Sequence, residues 1–153
     1  APLPLKFEAG TPNFIAQASL APALEFAQSL REGEIAAVVE AEEKKIIAYL
    51  TEQLQKIEGC RIYGLPQEDV ELGMPGSKIP LFSFNIEGCF PSDLAQLLDK
   101  MGVAVRTGLM CCEPLMARFG VTSMVRVSFL PYNTLQEAEY FIASLHRAVR
   151  MLR

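Results

Sequence analysis

The sequence contains no tryptophan and a single histidine, His146. No apolar run approaches the roughly 20 residues that a membrane-spanning helix needs, which argues against a membrane partner. The opening Ala1-Pro2-Leu3-Pro4 lacks the charged start and continuous apolar stretch of a secretory signal, so nothing argues for export. The net charge is only −4, with no excess of basic residues, so there is no electrostatic ground for expecting nucleic acid. The four cysteines, at 60, 89, 111 and 112, do not form two short Cys/His pairs. With one histidine to help them, no structural zinc site is expected. A disulfide framework is not expected either, because a chain of 153 residues can bury a core without one. Free thiols in a reducing cytoplasm are the default expectation. Half of the residues are apolar, enough for one domain with a real core.

The pattern of elements is that of an α+β domain. Residues 1–12 carry three prolines and a glycine and read as an extended lead-in. Asn13 to about Leu30 reads as a helix that starts, bends or breaks at Pro22. From Glu34 to Ile57, apolar residues at Ile35, Val38, Val39, Ile46, Ile47, Leu50, Leu54 and Ile57 form a one-sided stripe at helical spacing. Gly59 is placed to end that helix. Short strands are predicted at 60–64, 80–86, 103–106 and 124–130, and a loop at 65–78. Residues 91–101 read as a helix with Pro91 in its first turn. Thr134 and Glu137 have the spacing of a capping box, and Ala138, Phe141, Ile142, Leu145, Val149 and Leu152 give the last helix its apolar stripe. A small, mostly antiparallel sheet covered by helices is the expected architecture.

Chemistry concentrates in Arg106-Thr107-Gly108-Leu109-Met110-Cys111-Cys112-Glu113-Pro114. This stretch follows a strand and precedes a short helical segment, 115–119. Two thiols on a connection are more accessible than thiols in a core, and a neighbouring arginine favours the nucleophilic thiolate. On spacing alone, small core residues are the commoner reading of both cysteines. Arg126 interrupts an apolar strand, so it either faces water or presents its planar fork to a carboxylate in a cleft. Gly10, Thr11 and the amides before the first helix could hold a phosphate, or form an ordinary turn and N-cap. His146 reads as a surface residue, and the Met and Phe residues of 116–129 read as core.

Several motifs in register match one family. Phe7-Glu8-Ala9-Gly10-Thr11-Pro12-Asn13, then Val105-Arg106-Thr107-Gly108 with Cys111 and Glu113-Pro114-Leu115, then Arg126-Val127-Ser128-Phe129, then Tyr132-Asn133-Thr134 resemble cysteine desulfurases of the SufS type. The resemblance runs over nearly the whole chain. It implies the C-terminal small domain of a fold-type I enzyme dependent on pyridoxal 5′-phosphate (PLP). Residues 1–30 would join a large cofactor-binding domain, and 31–153 would form the small domain itself. The implied reaction takes sulfur from L-cysteine as a cysteine persulfide and leaves L-alanine, in the service of iron–sulfur cluster assembly. Cys111 would be the nucleophile. Arg126 would pair with the substrate carboxylate, Thr11 would reach the PLP phosphate, and Arg106 and Asn13 would line the site. The family is usually a homodimer and is cytoplasmic. It passes sulfur to a SufE- or SufU-like protein or to an iron–sulfur scaffold.

The chain departs from the family pattern in three places. Leu109 and Met110 stand where the family often has histidines. Cys112 stands where it commonly has alanine, and is expected to fill space. The family's Schiff-base lysine belongs to the large domain, and none of Lys6, Lys44, Lys45, Lys56, Lys78 or Lys100 lies in a matching motif. The chain alone is therefore expected to bind PLP weakly or not at all and to lack turnover. Two readings outside this one stay open: a stand-alone sulfur-relay or interaction domain, and a structural dimerisation domain with inert thiols. Selenocysteine lyases and other class V aminotransferases are the alternatives among complete enzymes.

Overall fold

The computed structural model describes residues 2–64 and 78–153, so nearly all of the loop expected at 65–78 lies outside the described residues. Contacts divide the chain into two compact units, Ala1–Glu40 and Ala41–Arg153.

The first unit opens with a single 3-10 turn, Leu5–Phe7, followed by helix α1, Phe14–Ser29. Asn13 starts α1: its side-chain oxygen accepts a hydrogen bond from the Ala16 amide at 3.1 Å, which satisfies one of the free amides of the first turn. Pro22 lies inside α1, and the helix continues through it. The Ala18 carbonyl that Pro22 cannot reach is on an exposed helix, where solvent can satisfy it. Glu25 is the one charged residue of α1, and the helix buries none of its residues. Phe14, Ile15, Leu20, Leu24 and Phe26 are all more than half exposed.

Helix α2, Gly33–Gln55, begins in the first unit and extends into the second. Its expected stripe is only partly used. Ile46, Leu50 and Leu54 are buried, whereas Ile35 and Val38 are exposed, because the main core begins at Ile46.

The second unit is built on a four-stranded antiparallel sheet: β1 (Cys60–Tyr63), β2 (Leu81–Ile86), β3 (Arg106–Gly108) and β4 (Met124–Ser128), in the order β1-β2-β4-β3. Helices α3 (Pro91–Lys100), α4 (Glu113–Phe119) and α5 (Leu135–Leu152) complete it. The strand expected at 103–106 moves toward its C-terminal end. The Val103 amide is taken by the Leu98 carbonyl as α3 closes, and only Arg106–Gly108 face the opening residues of β4.

Alternation along β2 sets the two faces of the sheet. Phe82, Phe84 and Ile86 are buried, while Leu81, Ser83 and Asn85 are half-buried on the other side. The buried face joins Val125 and Val127 of β4, Leu94 and Leu98 of α3, and Phe141, Ile142 and Leu145 of α5 in one core. Phe141 meets Phe84 and Phe129 edge-on, with ring centroids 6.4 and 6.3 Å apart. Full burial of a side chain of this kind contributes about 1.5–3 kcal/mol. Gly59, at φ 70, has no alternative: a Cβ there would lie 2.8 Å from Cβ of Glu87.

Helix α4 covers part of the second face. Phe119 packs on Tyr63 of β1 with ring centroids 5.3 Å apart. Met116 of α4 and Met124 of β4 are buried without belonging to the main core. Among the described residues no helix is long and apolar enough to cross a membrane.

Candidate functional site

The register brings four polar side chains into one row on the second face. Tyr63 is opposite Ser83, Ser83 opposite Arg126, and Arg126 opposite Arg106. Residues directly opposite in an antiparallel pair share a face, so the row crosses all four strands and ends at β3. Two arginines thus stand side by side, an arrangement that is unfavourable without an anion between or beside them. Arg126 is half-buried, and its Nε is buried with no hydrogen-bond partner. A buried guanidinium N–H without an acceptor is costly unless a ligand supplies one.

Immediately after β3 the chain makes a tight turn. The Cys112 amide donates to the Leu109 carbonyl at 2.9 Å, and the two central residues, Met110 and Cys111, both have φ 56. Positive φ at both central positions is the mark of a type I′ turn, normally built from Gly, Asn or Asp. For residues with a Cβ, each left-handed conformation costs about 1–2 kcal/mol. Strain of this kind concentrates at functional sites. The turn holds Cys111 exposed, while Cys112, one residue on, is half-buried at the start of α4. Arg106 Nη2 lies 3.7 Å from Cys111 Sγ, within hydrogen-bonding range of sulfur. A shallow cavity of about 590 Å³ opens there, lined by Arg106, Thr107, Leu109, Met110, Cys111, Glu113 and Pro114.

The sequence candidates therefore fall into two sets. Cys111 and Arg106 share a cavity, and Arg126 is Arg106's partner across the ladder. Thr11 and Asn13 belong to the first unit, where both are exposed and Asn13 caps α1. The other thiols differ in surroundings. Cys89 is buried, and Cys60 is half-buried, with its thiol pushed up to about 11 by burial. His146 is exposed. Among the described residues no group of three or more His, Cys, Asp or Glu could hold a metal ion. The strained turn, and the place of Tyr63 and Ser83 in the arginine row, carry no signal in the sequence. Nothing in Leu-Met-Cys-Cys signals a I′ turn, and the row depends on register.

The model of the Aminotransferase class-V family matches residues 1–141. The chain belongs to the class-V aminotransferase family. Its relatives in that family include a probable cysteine desulfurase of Xylella fastidiosa, 40% identical over 149 residues, covering 97% of this chain and 33% of that protein. A probable cysteine desulfurase of Vibrio cholerae is 39% identical over 150 residues, covering 98% and 34%. The chain thus spans about a third of the length of these relatives. Among solved structures, the cysteine desulfurase CsdA of Escherichia coli in its S-sulfonic acid form matches with a TM-score of 0.77 at 31% identity, over 98% of this chain and 34% of that one. The same small antiparallel sheet with helices is shared, as a fold, with a glutamate decarboxylase of Lactobacillus brevis at a TM-score of 0.59 and 17% identity.

Proposed function

We propose that this class-V chain is the C-terminal third of a SufS-type cysteine desulfurase and supplies the cysteine that accepts sulfur. The observation that carries the reading is the exposed Cys111 on its left-handed turn, 3.7 Å from the Arg106 guanidinium. Cys111 as thiolate attacks the sulfur of substrate L-cysteine. An S–S bond forms, the substrate C–S bond breaks, and Cys111 is left as a persulfide while the remaining carbon skeleton is protonated to L-alanine. Arg126 takes the substrate carboxylate, a role supported by its buried Nε that lacks an acceptor.

The family implies PLP, and the fit to this chain is partial. The cavity beside Cys111 offers a thiol and the Arg106 guanidinium, and the anchoring lysine would be supplied by the large domain. In the complete enzyme Thr11 would reach the cofactor phosphate and Asn13 would be a site-lining residue. When bound, PLP supplies an electron sink for the pair released as the C–S bond opens. Residues 1–30 would join the large domain, with 31–153 as the small domain. The complete protein would be a cytoplasmic homodimer serving iron–sulfur assembly through a SufE- or SufU-like acceptor or a scaffold.

The test joins the chain to its large domain and measures alanine release from L-cysteine, with the mass of the Cys111 peptide. The expected result is turnover, with one extra sulfur atom on Cys111, abolished by Cys111→Ser and retained by Cys112→Ser. Loss with Cys112→Ser alone would assign the sulfur to Cys112 and end the proposal. The chain by itself should show no PLP absorbance and release no alanine.

A further inference from the structure

We propose that Arg106 is a positioning residue for sulfur rather than a ligand of the substrate carboxylate: its guanidinium fixes the Cys111 side chain at the cavity and sets a cation beside the sulfur, where anions approach it. This deepens the reading of Cys111 as the sulfur acceptor and rests on it.

Three observations carry the assignment. Arg106 Nη2 is 3.7 Å from Cys111 Sγ, and a thiolate is the form that accepts fully from a guanidinium. The turn at Met110 and Cys111 bends the chain back toward the strand it has just left, so a side chain at 111 can meet one at 106. A relaxed connection would leave the contact to chance, whereas two left-handed residues hold one geometry. The third observation is the ladder itself. Arg106 and Arg126 are direct partners on one face, and like charges so placed repel unless an acceptor or anion stands beside them. Arg126 has a buried Nε without a partner, which points to a ligand absent from the chain, whereas Arg106 already has the sulfur. The two arginines therefore divide the work: Arg126 for a carboxylate brought by the substrate, Arg106 for the sulfur of the protein. Glu113 lines the same cavity and is the competing carboxylate there.

Charge-selective alkylation of the chain tests this without cofactor or turnover. Purified protein is treated at one pH with iodoacetamide, which is neutral, and with iodoacetate, an anion. The rate at Cys111 is read from its peptide by mass spectrometry, with Cys111→Ser as the background. A cation about 4 Å from the sulfur raises the local concentration of an anionic reagent by about five-fold in water. The iodoacetate-to-iodoacetamide rate ratio should therefore fall about five-fold in Arg106→Gln, remain within about two-fold of the parent in Arg106→Lys, and change little in Arg126→Gln. Raising the salt should bring the parent ratio toward that of Arg106→Gln, a check needing no substitution. An unchanged ratio in Arg106→Gln, an equal fall in Arg126→Gln, or a parent ratio indifferent to salt would overturn the assignment. The outcome is separable from the desulfurase reading. Turnover surviving Cys111→Ser in the joined enzyme would end that reading while leaving the alkylation ratios as measured.

Discussion

Removing Glu137 should destabilise the chain more than removing Thr134, although the N-cap residue is usually the more costly of a capping pair. The reason is in the distances. One oxygen of Glu137, Oε2, accepts from the Thr134 amide at 2.7 Å, from Thr134 Oγ1 at 3.2 Å and from Asn133 Nδ2 at 3.2 Å. The reciprocal bond, from the Glu137 amide to Thr134 Oγ1, is 3.4 Å long, near the limit of a useful interaction. A well-formed bond to a charged group contributes about 1.5–3 kcal/mol, and solvent screening at this exposed helix end reduces that to about 1 kcal/mol. A first-turn carboxylate adds about 0.3–1 kcal/mol through the helix dipole. Glu137→Ala should then cost about 1.5 kcal/mol, and Thr134→Ala about 0.5 kcal/mol, the low end for a lost N-cap. Urea unfolding followed by circular dichroism, with an unchanged denaturant slope, reads both values. Acid provides a second check. The backbone bond from Thr134 and the side-chain bond from Asn133 hold the Glu137 carboxyl below its ordinary value. The stabilisation is therefore complete above the ordinary carboxylate pKa and is lost as pH falls through the lowered one. The gap between parent and Glu137→Ala should be widest near pH 6–7 and close in acid. A larger cost for Thr134→Ala, or a gap indifferent to acid, would refute the reasoning.

Two further outcomes follow from the turn and the thiols. Met110→Gly should be neutral or stabilise by up to about 1 kcal/mol in the same unfolding assay, since relief of a left-handed side chain outweighs the added chain entropy; Ala117→Gly inside α4 should cost about 1 kcal/mol, and equal losses from the two would contradict the strain. Iodoacetamide at pH 8 should label Cys111 well before Cys60, because a thiol pushed up to about 11 is about one part in a thousand thiolate at that pH; comparable peptide labelling rates would rule out that difference.

The elements were legible where physical signals agree. The last helix shows both its capping box and its stripe, and β2 alternates as its Leu-Phe-Ser-Phe-Asn-Ile pattern requires. Signals that depend on partners were not legible. Composition alone favours the wet face for Arg126 over a cleft, and its half-buried position between Ser83 and Arg106 is a matter of register. The shift of the third strand has the same origin: Val103-Ala104-Val105 is a good strand sequence whose first amide is claimed by the end of α3. Pro22 is the converse case, a residue read as a disturbance that an exposed helix accommodates.

Residues 109–111 run against their local preference, and the conflict itself is informative. Leucine, methionine and cysteine have no affinity for a I′ turn, so something other than local propensity keeps Met110 and Cys111 at positive φ. The flanks supply it. β3 is fixed by its ladder to β4, and α4 is fixed by Phe119 on Tyr63, with Met116 buried behind it. The short connection between two such anchored elements must reverse tightly, whatever residues it contains. The strain is thus set by elements whose own sequences are conventional, and it falls on Met110 and on Cys111, whose sulfur is exposed. A relaxed turn made of Asn-Gly would satisfy the same anchors, but it would remove the thiol. Keeping Cys at that position trades about 1–2 kcal/mol of stability for a sulfur presented beside a guanidinium.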